Sequence, residues 1–302
     1  MRPARCCLLL LAMAPAVGCA LLAQKTPTPA ARINEAELAA TPPPPGVRHY
    51  LVVYGSQKPS RQPADTHTWA TLVTTSDDPG SPEPAVVEET ISWLPVELPI
   101  RALSRRVAPG RNYGLHETVR YMLDTKQDLA LWGPYEVWHG LAHRFRVQKA
   151  FLEGGTVGYQ CIDSRGEAAR DGNGCDCIHA ITDMDPAYPR AGYPLLLYGQ
   201  SGSARLVRRL MHSPVTIGAP ATHDWILPRL GLTEYPIEHR QYRGRVEAYD
   251  PATGRGGLNY VAPPLRPAAP PQPKTPVPDP KTGEPKKNGE IPPMPAAVPA
   301  TP

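Results

Sequence analysis

The chain has 302 residues, 40 of them proline and only two phenylalanine, with a formal net charge of +4. Prolines crowd into 20–46 and 262–302, stretches too poor in apolar side chains to bury a core, so a length that allows two domains holds one, over 47–261. Five basic and three acidic residues fall beyond residue 261. The folded part is therefore close to neutral, which gives nucleic acid no electrostatic support as a partner.

In chain order, Met1-Arg2-Pro3-Ala4-Arg5 is a cationic lead and Cys6 to Val17 an apolar run too short to span a bilayer comfortably, the layout of a secretory signal. Ala16-Val17-Gly18-Cys19 resembles a lipobox, with Ala where Leu is favoured. The expectation is a signal over 1–19, lipidation of Cys19, and export to the outer membrane or periplasm with the membrane as a partner through the anchor. Ala20 rather than Asp after Cys19 favours the outer membrane, and ordinary cleavage after Ala20 is the alternative. Residues 20–46 then read as an extended or disordered tether, and 262–302 as another.

Three strands are expected over 48–55, 66–74 and 86–94, apolar and β-branched runs closed by Gly55, Thr74 and Pro95. Leu115, Val119, Met122 and Leu123 recur at helical spacing, which predicts a helix over 115–125. A second helix is expected from Pro134 to Glu153, with Trp138, Leu141, Phe145 and Leu152 on its core face and Gly154-Gly155 as its stop. Strands over 156–163 and 193–199, a helix over 204–212 and an irregular cover over 226–240 complete the chain. Strands in runs point to an α+β fold with a mainly antiparallel sheet and a helical insertion.

The chemistry centres on Gly174-Cys175-Asp176-Cys177-Ile178-His179, where a glycine-rich approach opens a short helix. A thiol at a helix start meets unpaired amides and the positive dipole end, which favour thiolate, so Cys177 is a candidate nucleophile. A buried, inert cysteine beside a disulfide partner is the plainer alternative. Once the leader is set aside, Cys161, Cys175 and Cys177 remain, an odd number. In an oxidising compartment Cys161–Cys175 is the favoured bridge, leaving Cys177 as the thiol. His179 lies two residues on and points away from Cys177, so the base must come from elsewhere. His67, on a rigid early strand, is the first candidate and His223 the second. Cys175, Cys177 and His179 as zinc or copper ligands fit poorly, because structural zinc sites space their cysteines by two to four residues and need a fourth ligand. No metal and no cofactor is expected.

Cys177-Ile178-His179-Ala180 late in the chain and His67 on an early strand together resemble the circularly permuted papain-like group, which includes the lecithin:retinol acyltransferase family and permuted relatives of NlpC-type peptidases. The likeness spans about 48–184. Asp176 stands where the motif has Asn, and the strand over 86–94 offers Glu88, Glu89, Thr90 or Ser92 where the acyltransferases carry a second histidine. The resemblance implies a permuted papain-like fold, thiol attack on an ester or amide through an acyl-enzyme, and an oxyanion hole of helix-start amides. Ser92 and Glu89 are the orienting residues it suggests. Peptidoglycan peptide or lipid is the substrate class that suits an envelope enzyme. A non-catalytic envelope lipoprotein, binding or bracing a partner with a vestigial site, is the alternative.

Overall fold

A computed structural model describes residues 27–244 apart from 41, 78–80, 82, 164–165 and 186–198. The leader, Cys19, the C-terminal stretch from 245 and most of the expected strand over 193–199 lie outside the described residues. Two mostly antiparallel sheets and a modest set of helices make the fold α+β.

The larger sheet is built on β1 (Val47–Gln57), which pairs antiparallel with β2 (Thr66–Ser76) and, on its other edge, with β6 (Asp128–Val137). β3 (Ala85–Ile91) extends the β2 side and β9 (Ile237–Arg240) the β6 side, giving the order β3-β2-β1-β6-β9. β1 reads as a continuous apolar run because both of its faces are covered. One cover is α6 (Gly199–Met211), which approaches so closely that a Cβ on Gly55 would lie 2.5 Å from Ser203 Oγ. Glycine is the residue that admits this contact.

The chain breaks at Ser92 between β3 and β4 (Trp93–Pro95), and β4 joins the smaller sheet, β4-β5-β7-β8. Its other strands are β5 (Ala108–Asn112), β7 (Gly158–Tyr159) and β8 (Gly174–Cys175). Between the sheets run α2 (Leu115–Asp124) and α3 (His139–Glu153), and α4 (Gly166–Asp171) leads into β8. α5 (Cys177–Thr182) follows at once, and α7 (Ile226–Arg229) belongs to the cover.

Five expectations need correction. The helix expected from Pro134 begins at His139, and Pro134 sits inside β6, where the β1–β6 register shifts between Leu51 and Val53. Gly133 has φ +91° there, and at such a bulge proline need not donate to the ladder. The strand expected over 156–163 shrinks to Gly158–Tyr159. The irregular cover holds α7 and the parallel strand β9, which Pro228, Gly231 and Pro236 mask in the pattern, and Gly199 opens α6 rather than ending a strand.

The fifth concerns the tether. Residues 27–40 are part of the domain: a turn at Ala30–Arg32 and α1 (Glu35–Ala40) pack on α3, with Ala30 and Leu38 buried. Arg144 donates to Ile33 O at 2.9 Å, the His139 ring bonds Leu38 O at 2.8 Å, and the Thr28 hydroxyl donates to Asp183 O at 2.7 Å. The alanines that resemble linker composition are also the best helix formers, and α1 uses them so. No described helix is long and apolar enough to cross a membrane.

Candidate active site

Ser92 owes its position to the break between β3 and β4. Asn112 holds that break, its Oδ1 accepting from Ser92 N at 2.7 Å while its Nδ2 donates to Thr90 O at 2.8 Å. The Ser92 hydroxyl is thereby fixed 2.9 Å from Nε2 of His67, across the outer edge of β2. On its other side Ser92 Oγ lies 2.8 Å from Thr118 Oγ1, which lies 2.9 Å from the Gly114 carbonyl.

A carbonyl only accepts, and two oxygens at that distance need a proton between them. The Thr118 hydroxyl is the donor to both Gly114 O and Ser92 Oγ, so the Ser92 hydroxyl can donate to Nε2 of His67 or accept its proton, as the ring's tautomer decides. In the Nε2–H tautomer Ser92 accepts and Nδ1 of His67 is the lone-pair nitrogen. Nδ1 is buried and has no hydrogen-bond partner among the described residues. The ring also stacks on Trp69 at 5.3 Å and 14°, and Trp69 stacks on Tyr54 at 5.0 Å and 3°. Wholly buried in this apolar stack, His67 has its pKa lowered to about 3 by desolvation. It is a neutral base at any physiological pH.

Cys177 opens α5, as expected. Asp176 is the N-cap, its Oδ1 accepting from Ile178 N at 2.9 Å and His179 N at 2.7 Å. The residue keeps some exposed surface, but α5 packs on β2 and the sulfur is enclosed there near the Thr68 amide, which favours thiolate. Thr68 is the strand neighbour of His67. No hydrogen bond joins the Cys177 sulfur to the His67 ring. The expected drop in thiol pKa is reversed: burial and then the Asp176 carboxylate push it well above the usual value, outweighing the Thr68 amide. The amides of Ile178 and His179 are committed to Asp176, so of the helix-start N–H groups expected to face an oxyanion, that of Cys177 is the one left.

His179 does turn away from the sulfur. Its Nδ1 lies 2.9 Å from both carboxylate oxygens of Asp163 and 3.0 Å from Asp176 Oδ2. Though burial opposes it, the two carboxylates raise this imidazole's pKa well above the ordinary value. Asp163, Asp176 and His179 offer one ligand atom each within 4.8 Å of one another, the geometry of an ion triad that sequence spacing did not suggest. Asp163, thirteen residues upstream, was the member the pattern missed.

The chain matches no family model, no curated protein and no solved structure.

Two further candidates lie apart from this site. Glu89 accepts from Arg146 Nε at 2.6 Å on the outer part of β3, so of the two orienting residues suggested, Ser92 is the one on His67. His223, the second candidate base, stands in the cover, with its ring 4.8 Å from that of Tyr50 and Nε2 3.7 Å from Glu136. The Cys161–Cys175 bridge is absent, all three cysteines being thiols. β7 and β8 run parallel with Tyr159 opposite Cys175, which sets Cys161 two residues out of register. Two residues of rise and one interstrand step separate such Cα atoms by roughly 8 Å, beyond bridging reach.

Proposed function

We propose that the protein is a cell-envelope thiol hydrolase or acyltransferase, related to the permuted papain-like group, in which Cys177 is the nucleophile, His67 the base and Ser92 the residue that orients it. The observation that carries this reading is the placement of His67: Nε2 held by Ser92, Nδ1 buried without a partner among the described residues, and α5 packed on the same strand with the Cys177 sulfur near the amide of Thr68, the next residue.

In this reading the resting pair is neutral thiol and neutral imidazole. Nδ1 takes the thiol proton as sulfur attacks the carbonyl carbon of an ester or amide, the Cys177 N–H meets the oxyanion, and the imidazolium returns the proton to the departing alcohol or amine. Ser92 stabilises Nε2–H as the ring becomes charged. Water or an acceptor group then releases the acyl chain. The leader pattern supports export and a lipid on Cys19, which would present the site to peptidoglycan peptides or lipids.

The test is acylation by a p-nitrophenyl ester followed by intact-mass and peptide mapping. One acyl group on Cys177 is expected, lost in Cys177→Ser and slowed about 10²- to 10⁴-fold in His67→Ala. Acylation that survives both changes sinks the proposal. The missing hydrogen bond between sulfur and ring favours the alternative of a binding module with a vestigial site, and a folded protein that never acylates would establish it.

A further inference from the structure

A cavity of about 470 Å³ opens where α6 meets the end of β1 and the start of β2, lined by Gln57, Arg61, Thr66, Gln200, Ser201 and Arg240. That size suits a small organic molecule. The cavity lies on the face of β2 opposite the His67 ring, because Thr66 and Thr68 turn toward Gly199 and Ser203 of α6 while His67 stacks on Trp69 on the other side. Two guanidiniums line it and, among the described residues, no carboxylate does. Arg240 is fixed by its neighbours: its guanidinium lies over the Trp132 ring, 5.6 Å from the centroid, and Nη2 donates to Glu238 Oε2 at 2.5 Å, which uses one of its five N–H groups. Arg61 is fixed by its backbone. Its φ of +49° is left-handed, uncommon for a residue with a Cβ and recurrent at ligand sites, and its amide donates to Lys58 O at 2.9 Å. The Arg61 guanidinium has no hydrogen-bond or ion-pair partner among the described residues. The neutral groups add acceptors. The Thr66 hydroxyl gives its proton to Pro63 O at 3.1 Å, and Gln200 Nε2 donates to Asp128 O at 3.0 Å, which fixes that amide and leaves Oε1 to accept.

We propose that this cavity binds a phosphate ester of a small polyol, glycerol phosphate being the simplest, with Arg61 and Arg240 on the phosphate and Thr66 Oγ1 and Gln200 Oε1 accepting from the hydroxyls. A guanidinium fork matches two phosphate oxygens at once, and two forks on one cavity hold the group from both sides. A neutral sugar would leave the Arg61 charge unanswered. Bare phosphate would leave the two acceptors unused and most of the volume empty. The same chemistry exists as a free phosphate ester and as the headgroup of phosphatidylglycerol. Cys177 and His67 take no part, so the cavity's role stands or falls apart from acyl transfer.

Calorimetric titration of the intact chain with glycerol 3-phosphate, beside co-sedimentation with phosphatidylglycerol vesicles and with phosphatidylcholine vesicles as the control, gives the test. Saturable one-to-one binding of the free ester marks a soluble source. Excess retention on phosphatidylglycerol without binding of the free ester marks the lipid headgroup, since a lipid anchor on the protein would act on both kinds of vesicle alike. In either arm Arg61→Gln, on an exposed turn where the fold does not depend on the side chain, should weaken binding about ten- to hundredfold. Arg61→Lys should restore part of that loss, because it keeps the charge and gives up the fork. Inorganic phosphate should bind at least about tenfold more weakly than the ester, and equal affinity would remove the polyol from the assignment. No binding in either arm up to about 1 mM ligand, or binding that Arg61→Gln leaves unchanged, overturns the proposal.

Discussion

His67 and His179 are both buried and lie on either side of the same cysteine, yet their surroundings push them in opposite directions. His67 is stacked on the Trp69 ring with one hydroxyl for company, and desolvation takes its pKa to about 3. His179 sits between two carboxylates, which hold it as a cation. A buried imidazole follows its partners more than its burial: an apolar cage makes a base, and a carboxylate cage makes a structural ion. The first is suited to moving a proton, the second to fixing the turn that carries Cys177.

The sharpest way to break this contrast is to remove a carboxylate from the second cage. Asp163→Asn takes one of the two carboxylates from a buried imidazolium, and urea unfolding should show a loss of about 3–5 kcal/mol. A loss under about 1 kcal/mol would mean that the triad is not holding the α5 turn.

The two histidines should also tilt the pH profile of stability in opposite senses. His67 has a folded pKa below its unfolded value, so the unfolded chain binds the extra proton, and stability falls as pH drops from about 6.5 toward 3. The slope is roughly 1.4 kcal/mol per pH unit, or about 2 kcal/mol from pH 6.5 to 5. His49, lowered to about 4 chiefly by burial, adds to this limb. His179 has a raised folded pKa, so its contribution is whole below about 6.5 and is lost as pH climbs through the folded value. Denaturant midpoints across pH 4–10 should therefore crest near 6.5, with His67→Gln flattening the acid limb and Asp163→Asn the alkaline one. An acid limb unchanged in His67→Gln would contradict the buried neutral ring.

The smallest effects separate the two residues suggested for orienting the ring. Loss of one buried hydrogen bond, about 1–3 kcal/mol, should slow acyl transfer roughly ten- to hundredfold in Ser92→Ala, with the pH profile of the rate displaced because the ring loses its Nε2 partner. Glu89→Gln touches a half-exposed pair with Arg146, worth under about 1 kcal/mol, and should leave the rate as it was.

How much of this was written in the sequence differs by element. β1, β2, β3 and α2 declare themselves, because long runs of Val, Leu, Tyr and Thr or a clear helical period leave few alternatives. The α+β class follows from their order. β6 does not, since a bulge at Gly133-Pro134 imitates a helix start, and two-residue strands such as β7 and β8 are too short to carry a period. For the site, Cys177 at a helix start, His67 on a strand and Ser92 among four candidates were legible as residue types. The thiol's raised pKa was not, because it depends on how deeply β2 and the Asp176 carboxylate enclose the sulfur. Nor was the pairing of β7 with β8, whose partners lie sixteen residues apart.

The packed segment over 27–40 changes the reach of the molecule. With a lipid on Cys19, as proposed, a free tether to Val47 would allow the domain to roam about 100 Å from the bilayer, whereas the eight steps to Pro27 allow at most about 29 Å. The leash also has a defined point of attachment: Thr28 is bonded to the carbonyl of Asp183, the residue that closes α5. Tension drawn through the anchor would enter the fold at the far end of the helix that begins with Cys177, so mechanical load from the envelope and the posture of the sulfur share one path.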